Sequence, residues 1–255
     1  MISKNQIKFI KQLALKKHRQ QQGLFVAEGP KVVADLLAAG FGVHTLYATT
    51  DWEAPDDMRS LHGMKPTLVT PDELRQASFL QHPQQVLAVF RLPASVATAN
   101  ATEPAVAETT GAFTLVLDGV QDPGNLGTII RVADWFGIDR MVCSPDTADA
   151  WSPKVVQATM GSIARVNIYY TDLVRWLANC QLPICGTLLD GLNIYTASLP
   201  HKAVIVMGNE GNGISPQVRQ LVTHKLLIPP VHTGPESLNV AIATAITCSE
   251  FCRRL

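Results

Sequence analysis

Apolar residues in the first part of the chain follow two alternating spacings, one typical of helices and one of strands. Ile7, Ile10 and Leu13 recur at helical spacing among basic residues and predict one helix over 2–22. A proline near its start and a glycine beyond its end mark a second helix over 30–39. Short apolar runs predict strands at 24–27, 43–48, 67–69 and 86–90. This alternation indicates a small α/β or α+β domain.

Apolar strands alternate with helices more regularly from residue 112 onward. The predicted strands are 113–117, 140–143, 166–170, 184–189, 203–207 and 225–228. The predicted helices are 128–136, 152–160, 172–180, a short one capped by Ser215 before Pro216, and 238–253. Nearly continuous apolar strands between helices are typical of a parallel sheet buried on both faces. We therefore predict an α/β fold whose ligands lie at the carboxyl ends of the strands.

The composition changes between these two parts. Residues 94–111 contain no aromatic residue, leucine or isoleucine, and consist of small, acidic and turn-forming residues, as in a solvated linker. We therefore predict a first domain over 1–93, a linker over 94–111 and a second domain over 112–255.

Charge and cysteine content restrict the class of protein further. The chain has 21 Lys+Arg and 21 Asp+Glu, so bulk positive charge cannot bind nucleic acid and only a local patch could. Its five cysteines contain no C-x-x-C pair, which argues against a disulfide framework or a zinc site and favours a reducing cytoplasm. No secretion signal or membrane-spanning run is evident, so we expect a cytoplasmic protein without metal or membrane attachment.

One local basic patch does exist, on the predicted first helix, which carries six basic residues and no acidic one. An ordinary solvated helix face and an RNA-contacting surface both remain open for it. The candidate RNA-binding residues are Lys8, Lys11, Lys16 and Arg19.

Three polar loops follow three of the predicted strands of the second part. In the first, over 118–127, Asn125 can reach out of the loop, and Arg131 in the following helix can hold a phosphate. In the second, over 207–215, Glu210 can accept from backbone amides or face a ligand. In the third, over 228–240, Ser237 or Asn239 can cap the last helix, and His232 is expected to be solvated. Taken singly, each loop could be an ordinary connection.

Taken together, the loops resemble a known family. LDGVQDPGNLGTIIRVADWFGI, VIVMGNEGNGIS and IPP…ESLNVAIATAI are similar, in order and spacing, to the three motifs of the SpoU/TrmH family of RNA ribose 2′-O-methyltransferases. The resemblance covers residues 113–254. GLFVAEGPKVVADLLAAG is similar to the L30e-like substrate-binding domain that often precedes them. Pro230, where the family usually has methionine, and one extra residue in the third motif are departures.

The resemblance implies a catalytic domain with a deep trefoil knot near its carboxyl end, acting as a homodimer through that domain. It implies S-adenosylmethionine as cofactor and RNA as substrate, with ribosomal RNA favoured over transfer RNA. The implied catalytic residues are Arg131, Asn125, Glu210, Ser237 and Asn239. The implied cofactor-binding residues are Thr187, Gly208, Ile228 and Leu238.

The role of Arg131 is left open between a general base, as proposed for the family, and an electrostatic clamp, since a guanidinium rarely loses its proton. A non-catalytic RNA-binding protein of the same fold is one alternative for the whole chain. A nicotinamide-dependent enzyme is another, but the first loop lacks the G-x-G-x-x-G spacing that it needs.

Overall fold

A computed structural model describes residues 1–54, 65–93, 112–231 and 237–255 of the protein. The chain divides into two units. Unit 1 comprises Met1–Ala101 and Asp149–Arg165, and unit 2 comprises Thr102–Ala148 and Val166–Leu255. The predicted linker over 94–111 lies outside the described residues, as does His232.

Unit 1 is a four-stranded sheet with helices packed against it. Its central strand β4 is antiparallel to both of its neighbours, and the strand order is β1-β4-β2-β3. The strands are β1 (Leu24–Glu28), β2 (Val43–Ala48), β3 (Thr67–Leu68) and β4 (Val86–Arg91). The helices are α1 (Lys4–Gln12), α2 (Lys16–Gln22), α3 (Pro30–Ala38), α4 (Pro71–Ala77) and, from the second segment, α6 (Pro153–Ala158).

The prediction of one helix over 2–22 is wrong, because the chain breaks between α1 and α2. Arg19 of α2 turns inward at this break and is 2% exposed. Its guanidinium donates to the carbonyl oxygens of Leu13 and Ala14, both at 2.7 Å, and forms an ion pair with Asp149. Arg19 therefore stabilises the break, and its burial removes it from the predicted RNA-contacting set.

The segment Asp149–Arg165 belongs to unit 1, although the domain predicted over 112–255 includes it. Trp151, 4% exposed, packs its ring 4.8 Å from that of Phe25 and 6.1 Å from that of Phe41, measured between centroids. Burial of this indole, together with the ion pair of Asp149, explains why the segment packs with the first part of the chain.

Unit 2 is a six-stranded sheet in the order β10-β8-β9-β5-β6-β7, and every neighbouring pair is parallel, which confirms the predicted parallel α/β sheet. The strands are β5 (Phe113–Leu117), β6 (Arg140–Cys143), β7 (Asn167–Tyr170), β8 (Ile184–Asn193), β9 (Ala203–Met207) and β10 (His224–Leu227). The helices are α5 (Pro123–Trp135), α7 (Leu173–Ala178), α8 (Pro216–Arg219) and α9 (Val240–Cys252).

Three helices of unit 2, α5, α7 and α9, begin where polar side chains cap them. Asp122 caps α5 by accepting from the Asn125 amide at 2.8 Å, and Pro123 follows at the first helical position. The helix predicted over 128–136 therefore begins earlier, and Asn125 lies in its first turn rather than in a loop. Of the two residues predicted to cap the last helix, Asn239 does so. The predicted side-chain cap at Ser215 is wrong, since no such bond precedes α8.

No helix in the described ranges is long and apolar enough to cross a membrane. All five cysteines are free thiols. Burial raises the pKa of Cys185 and of Cys248 to about 12, so neither is a thiolate at neutral pH.

Candidate functional site

The loops that follow β5 and β9 are joined at the carboxyl edge of the unit 2 sheet. The amide of Asp118, directly after β5, donates to the carbonyl oxygen of Met207 at 2.9 Å. The Asp118 carboxylate accepts from the amide of Ser215 at 2.7 Å and is buried. Because these two strands are neighbours, their loops form one continuous surface.

Asn209 fixes the path of the second loop. Its Nδ2 donates to the carbonyl oxygen of Gly119 at 2.7 Å, while its Oδ1 accepts from the amides of Gly211 at 2.9 Å and Asn212 at 3.0 Å. Sequence reasoning assigned no role to Asn209 or to Asp118. The signal for Asn209 was an asparagine at the start of a glycine-rich turn, where its side chain can bond to the backbone ahead.

Gly208 lies at the tightest point of this loop. A Cβ placed on it would lie 2.2 Å from the carbonyl carbon of Gly213, far inside any van der Waals contact. Gly213 has φ of +68°, in the left-handed region that favours glycine. The predicted cofactor residue Gly208 is therefore required by the path of the backbone itself.

Three predicted catalytic residues from three different segments of the chain meet in one hydrogen-bonded relay. Asn239 donates from Nδ2 to Oδ1 of Asn125 at 2.9 Å, and Asn125 donates from Nδ2 to Oε1 of Glu210 at 3.0 Å. The groups at the two ends of the relay determine how the side-chain amides of Asn239 and Asn125 are oriented. Oδ1 of Asn239 is occupied by the amides that it caps, and Glu210 can only accept.

Glu210 anchors the relay to the first loop. Its carboxylate also accepts from the amides of Gln121 at 3.3 Å and Asp122 at 3.2 Å. Burial raises the pKa of Glu210, but the bonds from Asn125 and these amides lower the pKa by more, so that it lies below its ordinary value. Glu210 is therefore ionised at neutral pH, with its acceptor positions in use, and braces the loops.

The other two predicted catalytic residues are placed differently. Arg131 lies on α5, exposed, and its guanidinium has no hydrogen-bond or ion-pair partner within the described ranges. It follows Asn125 by six residues on one helix, or about 9 Å along the axis. Ser237 is also exposed and makes no side-chain bond to another described residue. The structure thus joins Asn125, Glu210 and Asn239 and leaves the Arg131 side chain free for a ligand.

The predicted cofactor residues follow the same edge of the sheet. Thr187 lies in β8, where its Oγ1 is 3.6 Å from Sδ of Met207. Gly208 follows β9 and Ile228 follows β10, and these three strands are neighbours. Leu238 precedes α9 and is 48% exposed. The third loop between them includes residues 232–236, which lie outside the described part.

The remaining residues of the predicted basic surface lie on unit 1. Lys8 and Lys16 are exposed. Lys11 is exposed along its side chain, but its ammonium donates to the carbonyl oxygen of Ser78 and lies 5.0 Å from the ring centroid of Phe79. Lys11 is therefore partly committed to packing.

Comparison with known proteins connects this geometry to a family. Residues 112–249 match the model of the SpoU rRNA Methylase family. Residues 4–88 match the model of the MRM3-like substrate binding domain.

Individual relatives agree over nearly the whole chain. The chain is 30% identical over 250 residues to the 23S rRNA (guanosine(2553)-2′-O)-methyltransferase RlmP of Bacillus subtilis, covering 96% of this chain and 95% of that protein. A solved TrmH-family protein from Porphyromonas gingivalis is 41% identical, with a TM-score of 0.83 and full coverage of both chains. An AdoMet-bound rRNA methyltransferase from Sinorhizobium meliloti is 30% identical, with a TM-score of 0.85, covering 100% of this chain and 97% of that one.

Proposed function

Because the chain belongs to the SpoU rRNA methylase family, we propose that it transfers a methyl group from S-adenosylmethionine to a ribose 2′-oxygen of ribosomal RNA. The observation that carries this function is the hydrogen-bonded relay of Asn239, Asn125 and Glu210. The relay joins three separate segments of the chain at the start of helix α5, which also carries Arg131. The named activities of the B. subtilis and S. meliloti relatives support the same reaction and substrate.

The carboxyl edge of the sheet suits the cofactor. We assign its binding to Thr187, which lies in β8, to Gly208 and Ile228, which directly follow β9 and β10, and to Leu238, which precedes α9. A Cβ on Gly213 would meet no atom within 4 Å, so a flat ligand can approach the backbone there. When bound, S-adenosylmethionine supplies an electrophilic methyl carbon on a sulfonium.

Arg131 acts as an electrostatic clamp in this proposal. Its guanidinium, exposed and without a partner among the described residues, can hold an RNA phosphate by two parallel hydrogen bonds and stabilise negative charge on the 2′-oxygen as the hydroxyl proton passes to solvent water. Asn125 fixes the start of the helix that carries Arg131, and Glu210 and Asn239 fix Asn125. Ser237 shapes the third loop before Asn239.

Dimerisation through unit 2 belongs to the same proposal. Helix α9 has apolar residues on all sides, yet Ile242 is 51% exposed. A helix that is apolar all round is normally covered on both sides, and a second copy would cover the outer side.

The family's trefoil knot near the carboxyl end is also part of the proposal. Arg254, just after α9, donates to the carbonyl oxygens of Ile194, Tyr195 and Ala197 in the connection between β8 and β9. These bonds support a closing helix held against that connection, as the knot requires.

For the amino-terminal part, we propose an L30e-like RNA-binding domain over 1–93, joined by a linker over 94–111 to a catalytic domain over 112–255. The match of residues 4–88 to a substrate-binding domain supports this division. In this proposal Lys8, Lys11 and Lys16 contact RNA phosphates, and the protein works in the cytoplasm.

The test is to map 2′-O-methyl groups across total RNA from a strain that lacks the gene. We expect one ribosomal RNA position to lose its methyl group and to regain it when the wild-type gene, but not Arg131→Ala, is supplied. Loss confined to transfer RNA would contradict the substrate. An unchanged map, together with purified protein that does not bind S-adenosylmethionine, would favour a non-catalytic RNA-binding protein.

A further inference from the structure

A polar cavity of about 580 Å³ lies in unit 1, and none of its lining residues is assigned a role above. It is formed by the end of β2, by the starts of α3 and α4, and by the loop over 81–85 that leads into β4. Its volume is in the range of roughly 300–1,000 Å³ that small-molecule sites occupy. The cavity can therefore hold a group the size of a nucleobase.

One wall of the cavity is held in a strained conformation. Gln85 has φ of +42°, although it is not glycine. Its carbonyl oxygen accepts from the amide of Thr49 at 2.8 Å, and its side-chain amide donates to the carboxylate of Asp51 at 3.2 Å. Such strain persists only where neighbouring bonds hold it, and it is common at binding sites. The wall is therefore formed before any ligand arrives.

Hydrogen-bonding groups line this cavity and remain available. The side chains of Gln81, His82 and Gln84 are exposed and make no hydrogen bond to any other described residue. Each glutamine amide both donates and accepts, as the edge of a nucleobase does. The cavity also contains Pro30, whose half-buried apolar ring can contact the face of a base.

The charge in the cavity favours a base over a phosphate. Hydrogen bonds from Thr49 and Gln85 lower the pKa of Asp51, so its carboxylate is ionised at neutral pH. Arg75, a cation on the lining, forms an ion pair with Asp72 at 2.7 Å. An ionised carboxylate repels phosphate but accepts from the exocyclic amine of a base.

We propose that this cavity binds one unstacked nucleobase with an exocyclic amine, in the RNA substrate, with Gln81, Gln84 and Asp51 reading its edge. Sequence-specific recognition of RNA mostly uses single-stranded bases that are splayed out and bonded along their edges. The proposal rests on the proposed function for its substrate, and it assigns a specificity site in unit 1, separate from the methyl-transfer site.

The test compares the full-length double variant Gln81→Ala/Gln84→Ala with a matched control, Gln20→Ala/Gln21→Ala, whose side chains are exposed on α2. The probe is ribosomal RNA from the strain that lacks the gene. We expect about a tenfold or greater rise in KM for this RNA, the loss typical of one bidentate contact to a base edge, with kcat unchanged. The affinity of the double variant for S-adenosylmethionine should equal that of wild type. The control variant should match wild type in every one of these measurements.

Asp51→Asn provides a second variant of nearly unchanged size, should the double variant fail to fold, and we expect the same rise in KM. Filter binding of the same RNA without S-adenosylmethionine measures the site independently of catalysis. If the variants bind this RNA about tenfold more weakly than wild type, the proposed base-binding cavity is supported, even if wild type methylates no ribosomal RNA. That lack of methylation would refute only the proposed function. Wild-type affinity and KM in both variants would overturn the proposal.

Discussion

Replacing Asn125 by aspartate would place a second carboxylate against Glu210. Aspartate keeps the shape of the side chain, and its Oδ1 can still accept from Nδ2 of Asn239. The Nδ2 that donates to Glu210 at 3.0 Å becomes an oxygen with no proton to give. The substitution therefore changes only the charge and the donor at the centre of the relay.

The size of the effect follows from two alternatives. If both carboxylates stay ionised at this separation, their repulsion is about 5 kcal/mol at an effective dielectric constant of about 20. If one takes a proton, the cost is about 1.4 kcal/mol for each pH unit above its ordinary pKa. The cheaper alternative sets the penalty, which is about 4 kcal/mol at pH ~7.5 and about 1.5 kcal/mol at pH ~5.5.

The sign of the pH dependence is also determined. The folded state raises the pKa of the new carboxyl pair, so its penalty is complete above that raised pKa and shrinks as the pH falls from it toward the ordinary pKa. Wild-type Glu210 has a lowered pKa, and its stabilising contribution is lost only as the pH falls below its ordinary value. The wild-type relay therefore adds no pH dependence of its own between about pH 5.5 and 7.5.

The assay is urea unfolding of wild type and Asn125→Asp across this pH range, with hydrogen exchange of the peptide 118–126 to locate the change. Asn179→Asp is the control, since Asn179 is exposed and donates only to the carbonyl oxygen of Arg175. We expect that control to change the free energy of unfolding by at most about 1 kcal/mol, without a pH slope. A flat difference for Asn125→Asp across the range would refute the reasoning.

Four further predictions follow from the described contacts. Arg131→Ala should lower kcat for methyl transfer by about a thousandfold, while the affinity for S-adenosylmethionine, measured by calorimetry, stays unchanged. Substantial remaining turnover would show that Arg131 is not part of the mechanism. Gly208→Ala should abolish cofactor binding in the same titration, because its Cβ would lie 2.2 Å from the backbone; near-normal affinity would contradict the tight turn. Arg19→Met should destabilise unit 1 by about 3 kcal/mol in urea unfolding, because the Asp149 carboxylate that Arg19 neutralises is left unpaired. An unchanged free energy of unfolding would contradict this prediction. Lys8→Glu with Lys16→Glu should weaken ribosomal RNA binding and flatten its salt dependence, whereas unchanged affinity would identify an ordinary solvated helix face.

Local pattern was sufficient where a strand is mostly apolar and bounded by turns. The strands at 43–48, 113–117, 140–143 and 203–207 have the predicted bounds. The parallel sheet also followed from pattern, because strands buried on both faces and separated by helices have few alternatives.

Helix starts were harder to predict, although their capping signals are present. Helix α4 was not predicted, yet Thr70 and Glu73 form a capping box around Pro71. The same kind of signal, Asp122 followed by Pro123, was interpreted as part of a loop, which misplaced Asn125. Both errors came from giving glycine and proline more weight as turn residues than as helix-start residues.

Contacts between distant parts of the chain lie beyond any local pattern. The residues next to Arg19 in sequence are those of a surface helix. Its burial depends on the contact with Asp149, which lies 130 residues away. Asn125 lies 85 residues from Glu210 and 114 from Asn239. Resemblance to family motifs selected those three residues together, while their relay and its direction required the coordinates.

Two carboxylates at the carboxyl edge of the unit 2 sheet, those of Asp118 and Glu210, are engaged with backbone amides. Asp118 holds the amide of Ser215, and Glu210 holds two amides and the side chain of Asn125. Glu210, bonded in this way, has a lowered pKa, so it is not suited to take the proton of a ribose hydroxyl. Arg131, in contrast, has all its donors available within the described contacts. In the proposed function, the chain's own contribution to methyl transfer is positioning and positive charge, and the carboxylates help to hold that charge in place.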